Sequence, residues 1–134
     1  MMSDDELIEA ARQARDHAHA PYSHFRVGAA LLAHDGRLFT GCNVENAAYG
    51  LCNCAERTAF FTAIATGMRP GGFSRIAVIG DTPQPITPCG ACRQVMFELG
   101  GPQLAVLLAN VQGARRLTSM AELLPDGFGF QPSA

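Results

Sequence analysis

A chain of 134 residues is one domain's worth, long enough to bury roughly two-thirds of its unfolded surface, and residues 1–134 are read as a single unit. Charged residues make up only 16% against 48% hydrophobic, which leaves little charge to solvate an outer face and predicts apolar surface buried between subunits. The formal net charge of -2 provides no basic stripe for a run of phosphates, and no stretch of eighteen apolar residues occurs, so neither nucleic acid nor a membrane is an expected partner.

Ser3-Asp4-Asp5-Glu6 is a capping box with carboxylates in the first helical turn, and Leu7, Ile8, Ala11, Ala14 and Ala18 follow at helical period. This helix is predicted to end just before Pro21, and its acidic amphipathic character, without an apolar h-region, is unlike a secretory leader. Val27 to Ala33 and Arg37 to Cys42 are strand-like runs joined by His34-Asp35-Gly36, a turn suited to a tight hairpin. Asn43 and Glu45 then fall just past a strand end. Cys54 to Thr66 reads as a helix stopped by Gly67 and Pro70, Arg75 to Gly80 as a β-branched strand, and Asp81 to Pro88 as a proline-rich loop. Gly90 to Leu99 is the next helix and Gln103 to Ala109 a strand, while Leu117 to Leu123 suggests a strand edge and a last helical turn. Strands alternating with helices in the second half of the chain predict an α/β fold, a mixed sheet with helices on its faces.

The chemistry is concentrated in two short motifs, Cys54-Ala55-Glu56 and Pro88-Cys89-Gly90-Ala91-Cys92. A structural zinc is normally closed by four protein ligands, whereas a catalytic zinc keeps three and leaves a corner to water. Three cysteines beside a carboxylate describe the open case. The spacing is that of zinc-dependent nucleobase deaminases, H-x-E…P-C-x-x-C, with Cys54 in the histidine place. A lone C-x-x-C would imply less, because redox dithiols and structural zinc sites share it.

Both motifs fall at predicted helix starts, where unpaired N–H groups favour thiolate over thiol, so a metal is expected between two helix N-termini. Three thiolates on a divalent zinc leave one net negative charge and a weakened Lewis acid. Arg57, next to Glu56, is the candidate to hydrogen-bond a ligand sulfur and withdraw charge. Zinc lowers the pKa of water toward 7, and Glu56, not itself a ligand, is placed to take the proton and return it to a ring nitrogen and a leaving amine. Hydroxide then attacks the carbon that bears the exocyclic amine.

Five cysteines is an odd number, and with three at ligand spacing it favours a reducing compartment, hence the cytoplasm, over a disulfide scaffold. Cys42 and Cys52 are read as packing residues. His17, His19, His24 and His34 have no ligand spacing to the cysteines and are assigned to the surface.

Four blocks go beyond a general deaminase signature: Pro21-Tyr22-Ser23-His24-Phe25-Arg26-Val27-Gly28, Gly41-Cys42-Asn43-Val44-Glu45-Asn46, Cys54-Ala55-Glu56-Arg57, and Pro88-Cys89-Gly90-Ala91-Cys92-Arg93-Gln94. In this order they closely resemble the small, homotetrameric, zinc-dependent cytidine deaminases, over about residues 7 to 130. The resemblance implies a three-layer α/β/α sandwich around a mixed five-stranded sheet, with one Zn2+ per subunit. It implies hydrolysis of cytidine and 2′-deoxycytidine to the uridines in pyrimidine salvage. Asn43 and Glu45 would hold the ribose hydroxyls, Phe25 would line the pyrimidine, and the Ala55 backbone with Glu56 would read the ring's polar edge. Phe128 would reach into a neighbouring subunit's site, so that the tetramer completes each active site.

A blasticidin-type nucleoside-antibiotic deaminase shares both motifs, but the Asn43-Val44-Glu45-Asn46 block and the context of Phe25 favour cytidine. Deoxycytidylate and tRNA-editing deaminases would be expected to show a histidine ligand and cations for phosphate. A zinc-stabilised binding protein without turnover has no use for an unligated Glu56 beside the metal.

Overall fold

A computed structural model of the chain describes residues 2–130. Helix α1 (Asp4–Arg15) opens on the capping box, with Ser3 and Glu6 each bonding the other's backbone N–H. The hairpin β1 (Val27–Ala33) and β2 (Leu38–Cys42) follows, then α2 (Ala55–Ala65), β3 (Phe73–Gly80), α3 (Gly90–Gly100), β4 (Ala105–Asn110), β5 (Arg115–Ser119) and the short α4 (Met120–Leu123). The five strands form one sheet in the order β2-β1-β3-β4-β5. Only β3 and β4 are parallel, with α3 as their crossover; the other pairs are antiparallel. The mixed five-stranded sheet and its flanking helices agree with the expected α/β class.

Alternation along the central strands explains the layers. Ala29, Leu31, Ile76, Val78, Val106 and Leu108 point to one core with Phe60 of α2 and Met96 of α3. Their neighbours Ala30, Leu32, Ala77, Ile79, Leu107 and Ala109 point to the opposite core, closed by Leu7, Ile8 and Ala11 of α1. Every residue of β1 is buried, as a strand covered on both faces must be. The acidic start of α1 is tied to the sheet by Asp4 with Arg75 and Asp5 with Arg115.

Helix α1 stops at Arg15 rather than running on to Pro21. The His17 and Ala18 N–H groups close only short turns on Ala14 and Arg15, and His19 is then recruited to pair with Val44 beside the β2 end. Tertiary pairing therefore overrides the helical pattern at Ala18.

Two glycines allow the helices to approach the hairpin. A Cβ on Gly28 would collide with the Ala11 carbonyl and the Arg15 N–H, and one on Gly41 with the Ala55 carbonyl and the Ala59 N–H. Gly41 thus sets how closely the first turn of α2 sits against β2. Replacing Gly41 with Ala is predicted to destabilise the protein by about 1–3 kcal/mol in urea unfolding, the cost of overpacking. Gly50, where a Cβ meets nothing within 4 Å, is the control, and Gly50→Ala should change stability by less than about 0.5 kcal/mol. Equal effects would refute the close-packing account.

Candidate active site

Each cysteine of the two motifs occupies a defined place at a helix start. Cys54 is the N-cap of α2 and Cys89 the N-cap of α3, both in extended conformation. Cys92 lies in the first turn of α3, and its backbone N–H donates to Cys89 Sγ at 3.5 Å. The two helices pack side by side against the sheet, so their N-termini bring residues far apart in sequence to one point.

The three sulfurs lie within 4.8 Å of one another, and Cys54 Sγ is 3.9 Å from Cys89 Sγ. Sulfurs about 2.3 Å from a tetrahedral zinc stand about 3.8 Å apart, so this spacing fits the ion. Among the described residues this is the one cluster of three candidate metal-binding side chains, and it offers no fourth protein ligand. Arg57 Nη2 donates to Cys54 Sγ at 3.4 Å, while its buried Nε finds no acceptor among the described residues. The guanidinium stands where it offsets the negative charge of the thiolates.

Electrostatics separates the roles of these groups. A hydrogen bond with Cys92, and the Arg57 guanidinium beside it, bring the Cys54 thiol down to about 5. Cys92 moves upward, chiefly through its interaction with Cys54 and through burial. Glu56 is only 4% exposed, and burial first, with the Cys54 charge adding, pushes its carboxyl up to about 7. A carboxyl near neutrality both accepts and returns a proton at physiological pH.

Glu56, Cys54 and Cys89 share a cavity of about 170 Å³ with Phe25, Asn43 and Ile86. Larger hollows exist, one of about 510 Å³ between Arg15, His19, His24 and Arg26, but it touches none of the clustered cysteines. The smaller cavity is therefore the chemically equipped one. Asn43 faces it with its amide held in place: Oδ1 accepts from the Val27 N–H at 2.8 Å and Nδ2 donates to the Phe25 carbonyl at 2.7 Å. Ala55 is buried at the first position of α2, where the helix makes no use of its N–H.

Two of the sequence-derived site residues lie elsewhere in the single chain. Glu45 lines an adjacent hollow with Tyr22, Ser23 and Tyr49, and its carboxylate accepts from the Ser23 hydroxyl and from the Tyr22 and Ser23 N–H groups. Phe128 is 63% exposed and stacks edge-on against Phe130. Ile86 and Thr87, not singled out in the sequence, line the cavity beside Cys89. Their place in the proline-rich loop running into Cys89 was the available signal. Cys52 bonds the Asn46 backbone instead of joining the cluster, and Cys42 is half-buried, its thiol raised by burial.

Residues 1–108 match the family described as the cytidine and deoxycytidylate deaminase zinc-binding region. A cytidine deaminase of Halalkalibacterium halodurans is 53% identical over 122 residues, 91% of each chain. Another, from Sporosarcina psychrophila, is 50% identical over 127 residues, 95% of this chain and 92% of that one. The crystal structure of a cytidine deaminase from Burkholderia pseudomallei is 64% identical and superposes with a TM-score of 0.94, covering 95% of this chain and 100% of that one.

Single replacement of Cys54, Cys89 or Cys92 by Ser is predicted to reduce bound zinc from about one ion per chain to a small fraction, measured by mass spectrometry after dialysis. Cys52→Ser should leave the zinc content unchanged. Full zinc occupancy in Cys89→Ser would contradict the ligand assignment.

Proposed function

This chain belongs to the cytidine and deoxycytidylate deaminase family, and we propose that its cavity hydrolyses cytidine and 2′-deoxycytidine to uridine and 2′-deoxyuridine, releasing ammonia. The carrying observation is a buried Glu56 that shares one cavity with a three-sulfur cluster it does not join. A structural zinc site has no need of that carboxyl; a hydrolytic one does.

Zinc held by Cys54, Cys89 and Cys92 would supply a Lewis acid that lowers the pKa of water. Glu56 takes a proton from the attacking water and delivers it to the ring nitrogen next to C4. A C–O bond forms at C4. Glu56 then carries the second proton to the departing amine, the C4–N bond breaks, and one water has been exchanged for one ammonia. Burial prepares Glu56 for both transfers, because an acid near pH 7 is neither too weak a base nor too weak an acid. Arg57 tempers the charge on Cys54.

Substrate placement takes Phe25, Asn43 and Glu56 from the cavity lining, and Glu45 and Phe128 from the family motif. Phe25 packs against the pyrimidine, and the Ala55 N–H reads its polar edge together with Glu56. Asn43 and Glu45 take the ribose hydroxyls, which selects nucleosides over free bases. The bond from Ser23 holds Glu45 ionised and keeps its segment against residues 22–23. Phe128 closes the site of a neighbouring copy in a homotetramer, with one zinc per subunit. The exposed Tyr22, Tyr49, Leu51, Phe61 and Phe128 supply apolar surface for that assembly. No helix among the described residues is long and apolar enough to cross a membrane, and five unpaired cysteines suit a reducing cytoplasm.

Following cytidine by ultraviolet absorbance tests this reading. Wild-type protein should consume cytidine and 2′-deoxycytidine and leave free cytosine almost untouched. Glu56→Gln, with zinc retained, should lose about 10²–10⁴-fold in kcat. Rapid turnover of cytosine would overturn the ribose assignment, and an inactive, zinc-loaded wild type would overturn the enzymatic one.

A further inference from the structure

Arg93 and Gln94 follow Cys92 directly, yet their side chains reach away from the sulfur cluster. Arg93 Nε donates to the Pro88 carbonyl at 2.8 Å and Nη1 to the Leu123 carbonyl at 2.9 Å. Its own N–H bonds the Cys89 carbonyl at 2.9 Å. One residue therefore holds the peptide on either side of Cys89. The Leu123 carbonyl ends α4, where a helix leaves acceptors without internal partners, so it is a natural anchor for a charged donor. Further along α3, Gln94 Nε2 donates to the Phe128 carbonyl at 2.8 Å, and a Cβ on Gly127 would stand 3.0 Å from the Phe97 ring. The segment from Leu123 to Phe128 is strapped along the helix whose first turn carries two of the sulfurs.

We propose that Arg93 is a positioning residue for the metal centre: by bridging the Pro88 and Leu123 carbonyls it fixes the peptide ahead of Cys89 against the end of α4. This inference rests on the zinc assignment of the cluster. The Pro88–Cys89 peptide orients the Cys89 side chain, and Cys89 is the exposed member of the three. Without the bridge, the Pro88 carbonyl is free to turn and the Cys89 sulfur is no longer held 3.9 Å from that of Cys54. A planar guanidinium serves two acceptors in different directions, whereas a lysine ammonium acts as a single flexible point.

The test is zinc affinity by competition with a chromophoric chelator, together with urea unfolding of the zinc-free proteins. Arg93→Ala should weaken zinc binding by about 10–100-fold, the cost of removing a partner that orients a metal ligand. Arg93→Lys should fail to restore the wild-type affinity. Gln94→Leu, which cuts a strap contact on the same helix without touching Pro88, should leave zinc affinity at the wild-type value even where it lowers stability.

Wild-type affinity in a folded Arg93→Ala would overturn the proposal. If Arg93→Ala does not fold, Arg93→Lys decides, and wild-type affinity there refutes the need for a bridge. Equal weakening by Gln94→Leu would also overturn it, by assigning the effect to general loosening of α3. A wild-type protein that binds no zinc would instead defeat the metal assignment on which the proposal stands.

Discussion

Three cysteine sulfurs and a buried carboxyl are crowded at the meeting of two helix N-termini, and that crowding is the constraint on which the rest depends. Like charges cannot accumulate there without a cation. The groups on the chain answer only in part: Arg57 stands at Cys54, and the helix starts contribute partial positive charge. The remainder of the compensation is what a divalent zinc supplies. Sulfur spacing that suits a tetrahedral ion then becomes a consequence of where the helices begin.

The fold serves that placement. Gly28 lets α1 cover one face of β1, and Gly41 lets the first turn of α2 lie against β2. Helix α3 crosses between the parallel β3 and β4 and presents Cys89 and Cys92 at its start. β1 and all of β3 but Ser74 and Arg75 are buried, so the sheet behind the site is packed from both sides. Phe25 and Asn43 complete the cavity from the β1 and β2 ends, joined to one another through the Asn43 amide. The Glu56 carboxyl is thereby dry enough to be shifted toward neutrality, and the cavity is open enough to admit a small ring.

Much of this was legible in the residues because it depends on local chemistry. The capping box at Ser3, the hairpin around Asp35-Gly36 and the two cysteine motifs each carry their physical reason within a few residues. The end of α1 was not, because the His19 backbone is drawn into a bridge with Val44, a contact that no window around Ala18 contains. Strand order was also hidden: β1 sits between β2 and β3 through long-range pairing. Ile86 entered the cavity because its loop docks on the Ala109 carbonyl, again a distant partner. Glu45 shows the opposite case, a residue marked by its motif whose side chain in the single chain is spent on Ser23. Arg93 follows the motif in sequence, but its bridge to Leu123 needed the packing of α4 to be seen.

X-ray absorption at the zinc edge of the loaded protein bears most directly on the central claim. The account predicts three sulfur neighbours at about 2.3 Å and one oxygen at about 2.0 Å, unchanged in Cys52→Ser. A shell of four sulfurs, or one in which the Glu56 carboxylate is a ligand so that Glu56→Gln alters the spectrum, would contradict it.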